Sequence, residues 1–344
     1  MIRVAVVGYG MAAQTFHLPL LRSNPAFEIS AIVSRQTALD LSAYPQARQF
    51  ADIDGMLAAN AADLVVITAP NDLHHPMAKQ CLNAGKHVVL EKPMVLTVAQ
   101  GQELQALAQA KSLVLSVFQN RRWDGDFLTL KALIARGEVG KVRYFAAHWD
   151  RFRPQYRNRW RENTGAGTGI WYDLGPHLLD QTLQLFGAPQ ALHARLRALR
   201  DGSPTVDYVH VQLHYPDFEV LLHTSPFNAA PNPRYMLQGD QGTYVKYGLD
   251  CQETQLKNGI LPDDAAFGIE DSIHDGIFYS PDGEARRIAG ERGQFPAYYR
   301  NIAAAIESRA ELAVKVEEVL ITTALIDLAM ESDKLGQTLP FQGI

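Results

Sequence analysis

The stretch VAVVGYGMAA at residues 4–13 decides the fold. Its four apolar residues predict a buried strand, the G-x-G-x-x-A pattern predicts a tight turn, and the residues from Gln14 to Leu21 predict a helix. A strand, a glycine turn and a helix in this order are typical of a dinucleotide-binding fold. Gly8 is expected to make the turn, and Gly10 to let the backbone approach a pyrophosphate at the positive end of the helix.

The residues after the second glycine belong to the same expected cofactor contact, which includes Met11 and Ala12. Ala13 stands where a third glycine is usual, and it is small enough for close packing of the helix on the strand. The alternative is a glycine turn that binds no ligand.

Composition describes an ordinary globular protein and excludes several classes of function. The 344 residues carry a net charge of −5 without a basic block, which argues against nucleic acid as a partner. Two cysteines, Cys81 and Cys251, lie far apart without the spacing of metal ligands, so we expect reduced thiols in a cytoplasmic protein. The N-terminal apolar run is too short for a signal peptide or a membrane span.

The first 120 residues alternate between strand-like and helix-like runs, which predicts a Rossmann domain with a parallel sheet over residues 1–120. From residue 121 to 344 the pattern predicts an α+β domain with a large, mostly antiparallel open sheet and a long helix at 171–186. We expect loops at 250–293, followed by helices near 296–308 and 316–334. The fold class is therefore α/β, and the open sheet face predicts a surface for homodimers or homotetramers.

The end of the second predicted strand indicates which dinucleotide binds. An NAD-binding unit usually has Asp or Glu at this place, and here Ser34 and Arg35 stand there instead. A serine hydroxyl and a guanidinium suit a 2′-phosphate, so the pattern predicts NADP in preference to NAD. The alternative is a solvated surface arginine.

Polar residues also follow the strand that the sequence predicts at 64–67. Ligands of such sheets bind beyond the carboxyl ends of the strands, so we expect Pro70, Asn71 and His74 to contact the cofactor. Helix capping by Asn71 or Asp72 is the alternative.

The run Glu91-Lys92-Pro93 comes directly after the strand at 88–90. Glu91 and Lys92 are therefore expected at the cofactor crevice, where the ammonium of Lys92 would bind a substrate oxygen and stabilise negative charge on it.

A third polar run falls on the long helix. Asp173, His177 and Asp180 share one helical face, which suits a histidine general base oriented by a carboxylate. Pro176 is typical of a first helical turn, and in that alternative Asp173 is only a local cap and His177 lies at the edge of the core.

Together these motifs resemble the Gfo/Idh/MocA oxidoreductases over essentially the whole chain. The resemblance rests on the glycine turn with Thr15-Phe16-His17, on Pro70-Asn71 with His74, on the run from Ala84 to Val88, on Glu91-Lys92-Pro93, and on Asp173-x-Gly175-x-His177-x-x-Asp180. Residues 120–123 and 150–154 are similar to the branch that contains NADP-dependent scyllo-inositol dehydrogenases.

The resemblance implies hydride transfer between NADP and a secondary alcohol of a polyol or sugar, with Lys92, Asp173 and His177 as the catalytic residues. Arg151, Arg153, Trp160 and Trp171 lie near the helical pair in sequence and are expected to line the substrate pocket. Two alternatives remain open at this point: a redox-neutral glycosidase that uses NAD transiently, and a cofactor-binding regulator without catalysis.

Overall fold

In the computed structural model, the N-terminal apolar run forms strand β1 (Ile2–Val7), and its neighbours on both sides run parallel to it. The structure describes residues 1–37, 39–157 and 162–344. Within these ranges the chain divides into two units that interleave along the sequence. The first contains Met1–Trp123, Gln252–Gly268 and Gln294–Leu320, and the second contains Asp124–Cys251, Ile269–Gly293 and Ile321–Ile344.

The first unit contains a parallel sheet in the strand order β3-β2-β1-β4-β5-β6. Residues of β1, β4 and β5 are almost all buried, as expected for strands that are covered on both faces. The Rossmann-like fold predicted for the N-terminal part is confirmed. Its remaining strands are β2 (Phe27–Val33), β3 (Arg48–Phe50), β4 (Leu64–Ile67), β5 (His87–Leu90) and β6 (Leu115–Val117).

The second unit contains a mixed sheet in the order β14-β13-β12-β11-β7-β10-β9-β8-β15. Its pairings are antiparallel except between β7 and β10, so the predicted, mostly antiparallel sheet is confirmed. The strands are β7 (Val142–His148), β8 (Ala191–Arg197), β9 (Tyr208–His214), β10 (Glu219–Thr224), β11 (Pro233–Gly239), β12 (Gly242–Tyr247), β13 (Gly276–Tyr279), β14 (Ala285–Ile288) and β15 (Leu339–Pro340).

Helices cover the parallel sheet and one face of the mixed sheet. They are α1 (Leu18–Arg22), α2 (Ile53–Ala58), α3 (His74–Asn83), α4 (Val98–Ala110), α5 (Gly125–Ala135), α6 (Ile170–Phe186), α7 (Gln252–Lys257), α8 (Pro296–Ile306) and α9 (Val316–Leu335). The prediction of loops at 250–293 is wrong in part, because this segment forms α7, β13 and β14. Strands β13 and β14 extend the mixed sheet by hairpin pairing.

The mixed sheet has one apolar face and one half-exposed face. Strand β9 alternates strictly between the two, with Val209, Val211 and Leu213 buried in one hydrophobic core with Leu178 and Leu179 of α6. The long helix that carries the predicted polar pair is therefore fixed on this sheet by its apolar side.

The described residues contain neither a membrane-spanning helix nor a cluster of metal ligands. No helix among them is both long and apolar enough to cross a membrane. The same residues contain no group of histidine, cysteine and carboxylate side chains arranged to hold a metal ion.

Candidate active site

The glycine turn after β1 is fixed by the ends of the two neighbouring strands. The N–H of Gly8 donates to the carbonyl of Val33 over 2.9 Å, and the N–H of Thr68 donates to the carbonyl of Val7 over 2.8 Å. Gly8 has a φ of +95°, and a Cβ at this position would lie 2.6 Å from Thr68 Oγ1. Both the backbone conformation and the close approach therefore require glycine here.

Gly10 differs from Gly8, since its surroundings are open. It is exposed, and a Cβ added to it would meet no atom within 4 Å. The N–H of Gln14 donates to the carbonyl of Gly10 over 3.0 Å, so the helix that continues into α1 begins at this residue. Met11 is 52% exposed at the same helix start. Open space in front of the first N–H groups of a helix fits the pyrophosphate of a dinucleotide.

Ser34 and Arg35 follow β2 in a segment that several hydrogen bonds hold in place. The N–H of Ser34 donates to the carbonyl of Phe50 over 2.9 Å, and its hydroxyl accepts from the N–H of Gln36 over 3.2 Å. The side-chain amide of Gln49 donates to the carbonyls of both Ser34 and Gln36. Arg35 is exposed between these fixed points, and no carboxylate stands at the end of this strand.

The residues after β4 that were predicted to contact the cofactor differ in their exposure. Pro70 is exposed, and Asn71 opens a short 3-10 turn, Asn71–Leu73. His74 is fully buried, with Nδ1 at 2.8 Å from the carbonyl of Pro93 and Nε2 at 2.9 Å from the carbonyl of Ala69. Both ring nitrogens therefore connect backbone segments, and the expected contact of His74 with a cofactor stays a prediction.

Hydrogen bonds with other residues of the first unit hold the run Glu91-Lys92-Pro93 after β5. The N–H of Glu91 continues the parallel ladder by donating to the carbonyl of Ile67 over 3.0 Å. Glu91 Oε1 lies 2.9 Å from Nε2 of the buried His17, and Oε2 accepts the backbone N–H of Lys92 over 3.0 Å. The Lys92–Pro93 peptide is cis. Both carboxylate oxygens of Glu91 therefore bind within the protein, and Lys92 follows them half-buried at the end of the strand.

Burial alone would raise the pKa of Glu91. The hydrogen bond from His17, the charge of Lys92 and the hydrogen bond from its backbone N–H outweigh burial and hold the pKa of this carboxyl below its ordinary value. Glu91 is therefore a carboxylate at neutral pH.

The predicted polar pair lies on α6 in the second unit. Gly169 precedes the helix, Asp173 lies half-buried in the first turn, and His177 lies one turn later with only 6% exposure. Pro176 is inside the helix rather than in its first turn, and Gly169 is the N-cap residue, so the position of Pro176 does not support a capping role for Asp173. The third predicted carboxylate, Asp180, is buried.

His177 packs against Trp149, which is the residue after β7. The two ring centroids lie 5.7 Å apart with an interplanar angle of 31°. The guanidinium of Arg234 lies 4.6 Å from the ring of Trp149 and 4.2 Å from the ring of Tyr235. A buried arginine between two aromatic rings therefore supports the tryptophan that contacts His177.

A buried amide connects this cluster to α6. Gln181 Oε1 accepts from Arg234 Nη2 over 2.9 Å and from the hydroxyl of Tyr235 over 2.8 Å. Gln181 lies one helical turn after His177, so the hydrogen bonds fix the same helix that carries the histidine. The sequence analysis missed Trp149, Gln181 and Arg234, because only the fold brings β7, β11 and α6 together.

The expected substrate residues have different surroundings. Trp171 is 2% exposed, and its indole N–H donates to the carbonyl of Ile326 over 3.2 Å, so it is a core residue in this structure and its contact with a substrate stays a prediction. The backbone N–H groups of Arg151 and Arg153 donate to the carbonyls of Ser225 and Pro226, which makes an extended ribbon beyond β7. Trp160 lies outside the described residues.

Arg151 and Arg153 follow Trp149, the residue that contacts His177, by two and four positions. They stay candidates for substrate contact. Lys92 belongs to the first unit and His177 to the second, so their meeting at one substrate oxygen stays a prediction.

Comparison with known proteins identifies the family. The NAD-binding Rossmann-fold domain of the Gfo/Idh/MocA oxidoreductase family matches residues 2–119, and the C-terminal alpha/beta domain of that family matches residues 131–341. The chain belongs to this family. It is an oxidoreductase with an NAD(P)-binding Rossmann domain, as the sequence predicts.

Relatives cover nearly the whole chain. The oxidoreductase YdgJ of Escherichia coli is 45% identical over 98% of both chains. The scyllo-inositol 2-dehydrogenase (NADP(+)) IolW of Bacillus subtilis is 38% identical over 98% of this chain and 95% of its own length. With relatives named as dehydrogenases, the prediction of an enzyme of the NAD(P)-dependent dehydrogenase class is confirmed.

Solved structures share the fold over the same length. The oxidoreductase yvaA of Bacillus subtilis has a TM-score of 0.96 at 37% identity and covers 99% of this chain and 98% of its own. An oxidoreductase from Klebsiella pneumoniae has a TM-score of 0.93 at 39% identity and covers 99% and 96%.

Proposed function

We propose that the protein transfers a hydride between NADP and a secondary alcohol or ketone of a polyol or sugar, in the manner of an inositol dehydrogenase. The observation that carries the proposal is the pair on α6, where Asp173 and His177 lie one turn apart and the histidine ring is held against Trp149. The relative IolW, which is named for scyllo-inositol and NADP, supports the choice of substrate and cofactor class.

The choice of NADP rests on the end of β2. Arg35 is exposed beside Ser34, and the segment around them is fixed by backbone hydrogen bonds. A guanidinium and a hydroxyl bind a 2′-phosphate, whereas a carboxylate at this place would repel it. Gly8, Gly10, Met11 and Ala12 would hold the pyrophosphate at the helix start.

The chain's own residues would move the proton and stabilise charge. When bound, the nicotinamide accepts or returns the hydride of the substrate carbon. In oxidation His177 takes the hydroxyl proton as the hydride leaves, and Asp173 orients the imidazole and stabilises its cation. The ammonium of Lys92 stabilises negative charge on the same oxygen. In reduction each transfer runs in reverse.

We also propose a cytoplasmic homodimer or homotetramer, with the mixed sheet as its interface. The half-exposed face of β8, β9 and β10 supports this assembly, because a broad face of this kind is suited to pairing. Light scattering on purified protein tests it, and a monomer at micromolar concentration would contradict it.

The proposed function is tested by following the absorbance of the reduced cofactor. A panel of inositols, hexoses and their ketones is assayed first with NADP or NADPH and then with NAD or NADH. We expect turnover with NADP and a polyol, and Arg35→Ala should weaken NADP binding far more than NAD binding. Arg143→Ala removes an exposed arginine of the second unit and is the matched control. Equal loss for both cofactors would exclude Arg35 as the phosphate contact, and net redox-neutral cleavage of a glycoside would favour the glycosidase.

A further inference from the structure

One histidine in the first unit has no part in the proposed reaction, although it is wholly buried and bonded at both nitrogens. His17 ends a π-helical turn, Ala13–His17, directly before α1. Such turns are rare within helices and are frequent at functional sites. The Nδ1 atom of His17 lies 2.6 Å from the hydroxyl of Tyr299, and its Nε2 atom lies 2.9 Å from Glu91 Oε1.

The neighbours of His17 decide where its proton lies. Burial, followed by the neighbouring Tyr298 and Glu91, raises the pKa of Tyr299 well above its ordinary value, so its hydroxyl keeps its proton. The hydroxyl donates to Nδ1, and Nε2 then carries the ring hydrogen and donates to the carboxylate of Glu91. With this tautomer, each hydrogen bond from Tyr299 through His17 to Glu91 has one donor and one acceptor.

The chain of hydrogen bonds ends at the backbone of Lys92. The second oxygen of Glu91 accepts the N–H of Lys92 over 3.0 Å. One residue further on, the carbonyl of Pro93 lies 2.8 Å from Nδ1 of His74, which is also fully buried. Two buried histidines therefore hold the backbone on either side of the Lys92 side chain.

We propose that Tyr299, His17 and Glu91 form a relay of positioning residues that fixes the place of the Lys92 ammonium, with His74 as a second clamp on the same segment. The inference rests on the proposed function for the role of Lys92 and adds what holds that lysine in place. Effective catalysis depends on such placement, since a shift of about 1 Å costs roughly a hundredfold in rate. Loss of one link in the relay should cost about tenfold in kcat.

A pair of neighbouring tyrosines supplies the test. Tyr299→Phe removes the hydroxyl that donates to His17, and Tyr298→Phe removes a hydroxyl from an equally buried ring that donates to Ser116 Oγ over 3.3 Å, outside the relay. Both variants lose one buried hydrogen bond, so their melting temperatures should fall by similar amounts. Only Tyr299→Phe should lower kcat by about tenfold, with the Kd for NADPH within twofold of wild type.

A pH profile adds a readout that a purely structural role would not move. Without the hydroxyl, His17 is no longer held in the form that donates to Glu91, so the pKa of Glu91 should rise. The acidic limb of the kcat profile should then move to higher pH in Tyr299→Phe and stay in place in Tyr298→Phe. Glu91→Gln removes the titrating group and should lose that shift, and it serves as the second variant if Tyr299→Phe folds poorly.

A second measurement needs no substrate. Lysines are reductively methylated with a 13C label, and the Lys92 resonance is assigned by its absence in Lys92→Arg. We expect its chemical shift and line width to change in Tyr299→Phe and in Glu91→Gln, and to match wild type in Tyr298→Phe. Lys92 signals that are identical in all variants would overturn the relay. A wild-type protein that reduces none of the ketones would overturn the proposed function instead, and the resonance would still decide the relay.

Discussion

Replacement of Gly10 by alanine separates cofactor binding from folding. The added Cβ would meet no protein atom within 4 Å, and the φ of Gly10 lies outside the left-handed region. The folded structure should therefore accept alanine without strain, and a helix start gains slightly from it. We expect the melting temperature of Gly10→Ala to equal or exceed that of wild type.

The same open space is where a pyrophosphate would lie. A phosphate oxygen approaches a backbone nitrogen to about 2.9 Å, whereas a methyl group needs about 3.5 Å to each heavy atom. The Cβ would displace the phosphate and weaken a hydrogen bond to an anion, which contributes about 1.5–3 kcal/mol. The Kd for NADPH should therefore rise by roughly ten- to a hundredfold.

The assay titrates NADPH fluorescence and records thermal unfolding on the same samples, with Gly8→Ala as the matched control. A Cβ at Gly8 would lie 2.6 Å from Thr68 Oγ1, and its φ of +95° is strained for alanine. This variant should lose about 1–3 kcal/mol of stability, or about 2–4 °C in melting temperature for each kcal/mol. Wild-type affinity for NADPH in Gly10→Ala would refute the placement of the pyrophosphate at this turn.

Four further changes test the remaining assignments. His177→Ala should lower turnover by about two to four orders of magnitude with little change in NADPH affinity, as general-base loss does; near-normal turnover would contradict it. Lys92→Ala should cost about a hundredfold or more in kcat, and Lys92→Arg should not restore it, because a planar guanidinium cannot occupy the place of an ammonium. Trp171→Phe should lower the melting temperature and leave KM unchanged, and a large rise in KM would return this ring to the substrate pocket. Burial alone would raise the pKa of Asp150, but the hydrogen bond and charge of His223 and the hydrogen bond from Asn232 outweigh burial and hold this pKa below its ordinary value. Asp150→Asn should therefore destabilise the protein at neutral pH. In urea titrations this effect should begin to shrink below the unfolded pKa of about 3.9 and be lost as the pH falls through the folded pKa.

Much of the fold follows from local patterns in the sequence. Hydrophobic periodicity predicts a helix at 98–110 and strands at 191–197 and 219–224, and α4, β8 and β10 have these bounds. Thr97 accepts from the N–H of Gln100 at the start of α4, and Gly85 has a positive φ after α3. Short edge strands such as β3 carry too few residues for a pattern to show.

The surroundings of single side chains were harder to predict. Trp171 and His74 occur in motifs that suggested ligand contact, yet one donates to a core carbonyl and the other connects two backbone segments. The partner of His17 is Tyr299, which lies 282 residues later. Sequence spacing carries no signal for contacts of this range, and only the return of the segment Gln294–Leu320 to the first unit creates them.

The most direct test of hydride transfer uses inositol deuterated at its ring carbons with NADP, followed by mass spectrometry of the cofactor. The account predicts net accumulation of reduced cofactor with one deuterium on each nicotinamide, at a rate that falls by about two to four orders of magnitude in His177→Ala. Turnover of the substrate with no deuterium on the nicotinamide, or with no net reduced cofactor, would contradict it.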